Sequence, residues 1–147
     1  MCNTVFLSTD SVEDLSVYSS DLMKLVREES NDPLLSHLQF DNRWWLTDAG
    51  NGCSCEFRHQ EQIEWNGRIH PHCFDEPQDW MHEEPERVEG TRQLFDVLDQ
   101  LLRDGFKADL VDSWEGKESE ILPVDVPWST ATRELFRLFE GRVVRFT

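Results

Sequence analysis

Glu86-Arg-Val-Glu-Gly-Thr-Arg-Gln-Leu94-Phe95-Asp-Val-Leu98-Asp-Gln-Leu101-Leu102-Arg-Asp-Gly105-Phe106-Lys-Ala108-Asp-Leu110-Val-Asp112-Ser-Trp114 carries two periods in succession, and the change between them decides the fold class. Leu94, Leu98, Leu101 and Leu102 recur at steps of three and four, the stripe of an α-helix over about 86–104, with Val88 and Phe95 flanking it. Gly105 follows, where a helix end asks for a left-handed residue. From Phe106 the period falls to two, through Ala108, Leu110, Asp112 and Trp114, which predicts a strand. The unit is a helix feeding a sheet.

Upstream, Asn3 to Ser8 reads as another strand. Ser11-Val-Glu-Asp14 fits a capping box, and Leu15, Tyr18, Leu22, Leu25 and Val26 then suggest a second helix, weakened by Ser16, Ser19 and Ser20 and ended at Asn31-Asp-Pro33. Leu38 to Leu46 alternates, Asp48-Ala-Gly-Asn-Gly52 supplies a turn, and Cys53 to His59 alternates again, so these segments predict a hairpin. In that register Cys53, Cys55 and Phe57 face the core, while Ser54, Glu56 and Arg58 face water. Downstream, Ser129 caps a third helix carrying Leu135, Phe136, Leu138 and Phe139, and Arg142 to Thr147 closes the chain as a strand. The sum is an α+β pattern: one domain over 1–147, a mostly antiparallel sheet of four to five strands, two to three helices packed on it, and a ferredoxin-like arrangement. An aperiodic loop occupies 60–85, a length that often marks function.

The net charge of −16, from 30 acidic against 14 basic residues, repels phosphate backbones and anionic membrane surfaces. Nucleic acid and membrane are therefore excluded as expected partners, leaving a protein or small molecule. Residues 1–10 lack a basic segment followed by an apolar one, which points to the cytoplasm and to reduced thiols.

Chemistry concentrates between residues 53 and 82. Cys53, Cys55, His70, His72 and Cys73 are soft donors of the kind that hold zinc in a tetrahedron, and a loop crossing the strand would bring them together. Against this, the C-x-C spacing places the two thiols roughly 6.6 Å apart along a regular strand, wide for one ion. The alternation also suits plain core packing, in which Cys behaves as a small hydrophobe.

Met1-Cys2 ahead of a strand resembles, over these two residues, the start of N-terminal-nucleophile amidohydrolases. That resemblance implies a Cys2 thiol activated by its own α-amino group once Met1 is removed. No G-x-S-x-G, P-loop, G-x-G-x-x-G or H-E-x-x-H sequence occurs. The expectation is an acidic binding or interaction module with a Cys/His metal site, zinc being the ion. The alternatives are a thiol-dependent hydrolase or redox enzyme using Cys2 or Cys53/Cys55, and an acidic mimic of nucleic acid that regulates a basic partner.

Overall fold

The computed structural model describes residues 2–48, 53–60, 64–65, 68–69 and 83–147. Its centre is β1 (Asn3–Thr9), which runs antiparallel to β3 (Asn42–Thr47) on one side and to β7 (Ala108–Trp114) on the other. β2 (Lys24–Arg27) extends the sheet beyond β3, and β10 (Arg142–Phe146) extends it beyond β7. β8 (Leu122–Val126) forms the far edge, the one parallel partner in the order β2-β3-β1-β7-β10-β8. A parallel neighbour needs a crossover of a dozen or more residues, which 127–141 supplies without an α-helix.

The central strands are buried on both faces, so their sequences read as near-continuous apolar runs. On one face Val5, Leu7, Trp44, Leu46 and Leu110 pack against α1 (Pro85–Arg103) through Leu94, Leu98 and Leu101. On the other, Phe6, Val111 and Val143 pack against Leu34, Leu35 and Leu38 of the 3₁₀ turn Pro33–His37 and the residue after it. Trp44 and Trp45 serve one face each. The expected helix end is present in full: Gly105 has φ +87°, its N–H donates to Leu102 O at 3.2 Å, and the Phe106 N–H donates to Leu101 O at 3.0 Å. These two bonds are the Schellman closure of a helix C-terminus.

An α+β architecture with a mostly antiparallel sheet is thus as expected, whereas several finer expectations are corrected. Among the described residues there is one α-helix, not two or three, the main sheet has six strands, and the strand order is not ferredoxin-like. The region read as a helix from Leu15 to Val26 is a 3₁₀ turn (Leu15–Tyr18) followed by β2. Its cap is Asp14, and the serines break the helix by taking main-chain donors: Ser19 Oγ accepts from Leu25 N–H and Ser20 Oγ from Leu22 N–H. The region read as a last helix turns at Trp128–Thr130 and then enters a short strand, β9 (Leu138–Phe139). There Leu138 N–H donates to Arg58 O at 2.8 Å, and β9 pairs in parallel with β4 (His59–Gln60). A further short ladder joins β5 (Glu64–Trp65) to β6 (Arg68–Ile69) within the stretch read as aperiodic. β8 was not expected; Pro123 within it suits an edge strand.

Residues 53–58 are not a strand of a hairpin. Ser54 and Arg58, expected in water, are buried, while Cys53 and Cys55 are only half-buried. Arg58 is drawn inside by Glu83, 3.1 Å away, which also pairs with buried Arg137 at 2.9 Å. Among the described residues no helix is long and apolar enough to cross a membrane.

A candidate metal centre of three thiols

The site lies where the start of β1 meets the end of β7, in the register Asn3↔Trp114. Glu115 N–H donates to Cys2 O at 3.0 Å and so extends the pairing to Cys2. On the other side of β1, the Cys53-Ser54-Cys55 segment docks against β1 and β3.

Ser54 is the anchor of that segment. It has 0% exposure, yet each of its polar groups is satisfied. Its N–H donates to Asn3 O at 3.1 Å and its Oγ accepts from Val5 N–H at 3.0 Å. The same hydroxyl donates to Leu46 O. Val5 and Leu46 are ladder partners, so the serine hydroxyl sits as a wedge at their pairing. The Ser54 carbonyl takes a ring N–H of His59, with Nε2 at 2.8 Å. A buried Ser is tolerated because nothing polar on it is left unpaired.

Fixing Ser54 turns its two neighbours toward the start of β1. The sulfurs of Cys2, Cys53 and Cys55 all lie within 4.8 Å of one another. All three are free thiols. The wide separation of a regular strand does not apply, since residues 53–57 bend and turn. Asn3 N–H donates to Cys55 Sγ at 3.1 Å, a main-chain bond of the kind found around a bound metal. Burial pushes the Cys53 thiol up, and the neighbouring charges of Cys55 and Asp48 push the same way, while a main-chain bond from Cys55 opposes them. Without a cation this thiol stays protonated at neutral pH, so metal binding there would release a proton.

Behind the thiols stands a buried pair. His59 Nδ1 lies 2.7 Å from Asp112 Oδ2, and Asp112 Oδ1 accepts from Asn3 Nδ2 at 3.1 Å. Burial alone would lower His59, but the Asp112 hydrogen bond and charge, helped by the Ser54 carbonyl, raise it above the ordinary imidazole range. Burial raises Asp112. Nε2 faces the Ser54 carbonyl and so carries a proton, while Nδ1 lies against both Asp112 Oδ2 and, at 2.9 Å, Asn3 Nδ2.

Of the residues expected to bind metal, Cys53 and Cys55 are brought together. His70, His72 and Cys73 lie outside the described residues. Cys2 was expected only as a nucleophile and is instead the third member of the group; its place beside Cys53 follows from strand pairing, which no local pattern announces. No family model matches this chain, and neither the curated proteins nor the solved structures contain a match.

Proposed function

We propose that this protein is a binding module organised around a zinc–thiolate centre, with Cys2, Cys53 and Cys55 as ligands. The observation that carries the reading is the convergence of three sulfurs within 4.8 Å. Zinc bound at about 2.3 Å to each thiolate needs them about 3.8 Å apart, a separation inside the 4.8 Å that bounds the group. Three thiolates suit a borderline-soft ion with no geometric demand of its own. Main-chain support from Asn3 and the clamp on Ser54 are the outer-shell features such a centre uses. His70, His72 and Cys73 are the donors that the sequence offers for the remaining position.

In this reading the ion ties the start of β1 to the segment that follows β3, contributing folding free energy. The acidic surface favours a protein or small-molecule partner over nucleic acid or membrane, and reduced thiols fit a cytoplasmic protein. A thiol enzyme using Cys53 is the weaker reading, because burial raises that thiol and leaves it a poor nucleophile.

The test is elemental analysis and zinc titration of the full chain purified without chelator. One equivalent of zinc is expected, lost in Cys2→Ser, Cys53→Ser and Cys55→Ser, with chelator lowering the melting temperature of the wild type only. Absence of stoichiometric metal, or unchanged binding in all three variants, overturns the reading.

A further inference from the structure

We propose that Cys2 is a site of reversible oxidation by a hydroperoxide, with Cys55 as the thiol that closes a disulfide onto it. The proposal rests on the zinc reading only for what oxidation releases; the disulfide needs the sulfurs alone. Those of Cys2, Cys53 and Cys55 lie within 4.8 Å of one another, and all three are free thiols. Cys2 is exposed, while Cys53 and Cys55 are half-buried. Accessibility decides which sulfur meets the oxidant first, and that sulfur belongs to Cys2.

The main chain selects the partner. Asn3 N–H donates to Cys55 Sγ at 3.1 Å, which seats this sulfur on the residue next to Cys2. Asn3 N is two bonds from Cys2 Cα, so the Cys55 sulfur lies within about 5.6 Å of that Cα. Closing to the roughly 2.05 Å of a disulfide is then a matter of side-chain rotation. Cys53 is fastened to the end of β3 instead: its carbonyl accepts from Asp48 N–H at 2.9 Å and from Thr47 Oγ1 at 3.3 Å. A Cys53–Cys55 link would close a small ring across Ser54, whose bonds to Asn3, Val5 and Leu46 already fix it. A Cys2–Cys55 link ties β1 to the same segment that the ion ties in the reduced protein.

The chemistry balances with hydrogen peroxide as oxidant. The Cys2 thiolate attacks one peroxide oxygen, the S–O bond forms, the O–O bond breaks, and the other oxygen takes a proton and leaves as water. Sulfur is oxidised by two electrons to a sulfenic acid as the peroxide is reduced. Cys55 then attacks the Cys2 sulfur; the S–S bond forms, the S–O bond breaks, and hydroxide leaves with the Cys55 proton as water. A dithiol reverses the link by exchange and is itself oxidised to a disulfide. Two of the three thiolates are withdrawn from zinc while the link stands, and one is too few to hold the ion. Disulfides of a reducing compartment are of this transient, sensing kind.

The experiment treats the full chain, zinc-loaded and metal-free, with hydrogen peroxide. Mass spectrometry of non-reduced peptides maps the linkage, and a chromogenic chelator follows the zinc. An intramolecular Cys2–Cys55 disulfide is expected, with zinc released in step with it, and dithiothreitol should restore both thiols and zinc uptake. Cys2→Ser and Cys55→Ser should abolish the link, whereas metal-free Cys53→Ser, though short of a zinc ligand, should still form it. A Cys53–Cys55 link, a bond to Cys73, a disulfide between two chains, or sulfinic acid on Cys2 without a link overturns the proposal. So does zinc kept by the linked chain. The wild-type peptide map decides the pairing even where a serine variant fails to fold. A chain that forms the Cys2–Cys55 link but takes up no zinc upholds the thiol pair and defeats the zinc reading. Zinc bound and retained through peroxide treatment with no link upholds the zinc reading and defeats the pair.

Discussion

His59 Nδ1 sits 2.7 Å from Asp112 Oδ2, while its other ring nitrogen holds the carbonyl of Ser54, the residue between two of the three thiols. The C-x-C segment is thus held from the sheet interior through an imidazole, in addition to the bonds of Ser54 to β1 and β3.

Replacing Ser54 by Ala removes the hydroxyl that bridges Val5 N–H and Leu46 O. Leaving those buried main-chain groups unpaired should cost about 1–3 kcal/mol. Urea unfolding of metal-free protein measures it; a loss within about 0.5 kcal/mol, the range of surface substitutions, would mean the wedge is dispensable.

His59 and Asp112 both hold protons more tightly folded than unfolded. The native state therefore binds more protons than the unfolded chain, and stability falls as pH rises. For His59 the loss begins near its ordinary value of 6.5 and continues up to its raised folded value. Chelated protein should unfold at progressively lower urea as pH rises above about 6.5, and His59→Gln should flatten that slope. A slope that is the same in both proteins would refute the assignment.

Leu98 has 0% exposure at the centre of the α1 stripe. Leu98→Ala should destabilise by about 2–5 kcal/mol through lost burial and the cavity left behind. Thermal unfolding reports it directly.

Glu83 is the carboxylate shared by Arg58 and Arg137, whose side chains are 3% and 2% exposed. Glu83→Gln removes charge that both guanidiniums face in a nearly dry setting. Glu83 itself is 26% exposed, so water offsets part of the effect and the cost should fall near the lower end of the about 3–5 kcal/mol seen for broken buried pairs. Double substitution with Arg58→Met should recover part of it, a coupling that a double-mutant cycle reads out.

The helix 85–103 and the strand after it were legible because their signals are local: a leucine stripe at helical steps, a glycine at the helix end, then strict alternation. The segment 53–58 was misread for the converse reason. Alternation predicts which residues are buried only where a strand has a ladder, and here Ser54 is buried by hydrogen bonds to two other strands and Arg58 by a carboxylate 25 residues away. The apolar run at Leu135–Phe139 looked helical, yet its end pairs with β4: Leu138 N–H donates to Arg58 O, and Phe139 is the register partner of Gln60. In the site, Cys53 and Cys55 stood out as donors from composition. Cys2 did not, since its approach to those thiols is made by sheet register.

The central pairing of β1 with β7 brings together residues 109 apart in sequence, as in the bond from Asn3 to Asp112. A ribosome delivers the amino end first, so during synthesis β1 waits for most of the chain before its second neighbour emerges. Contacts of such long range form late and slowly. In the nascent chain the Cys2 end of β1 would therefore lack its bond from Glu115 until β7 is made.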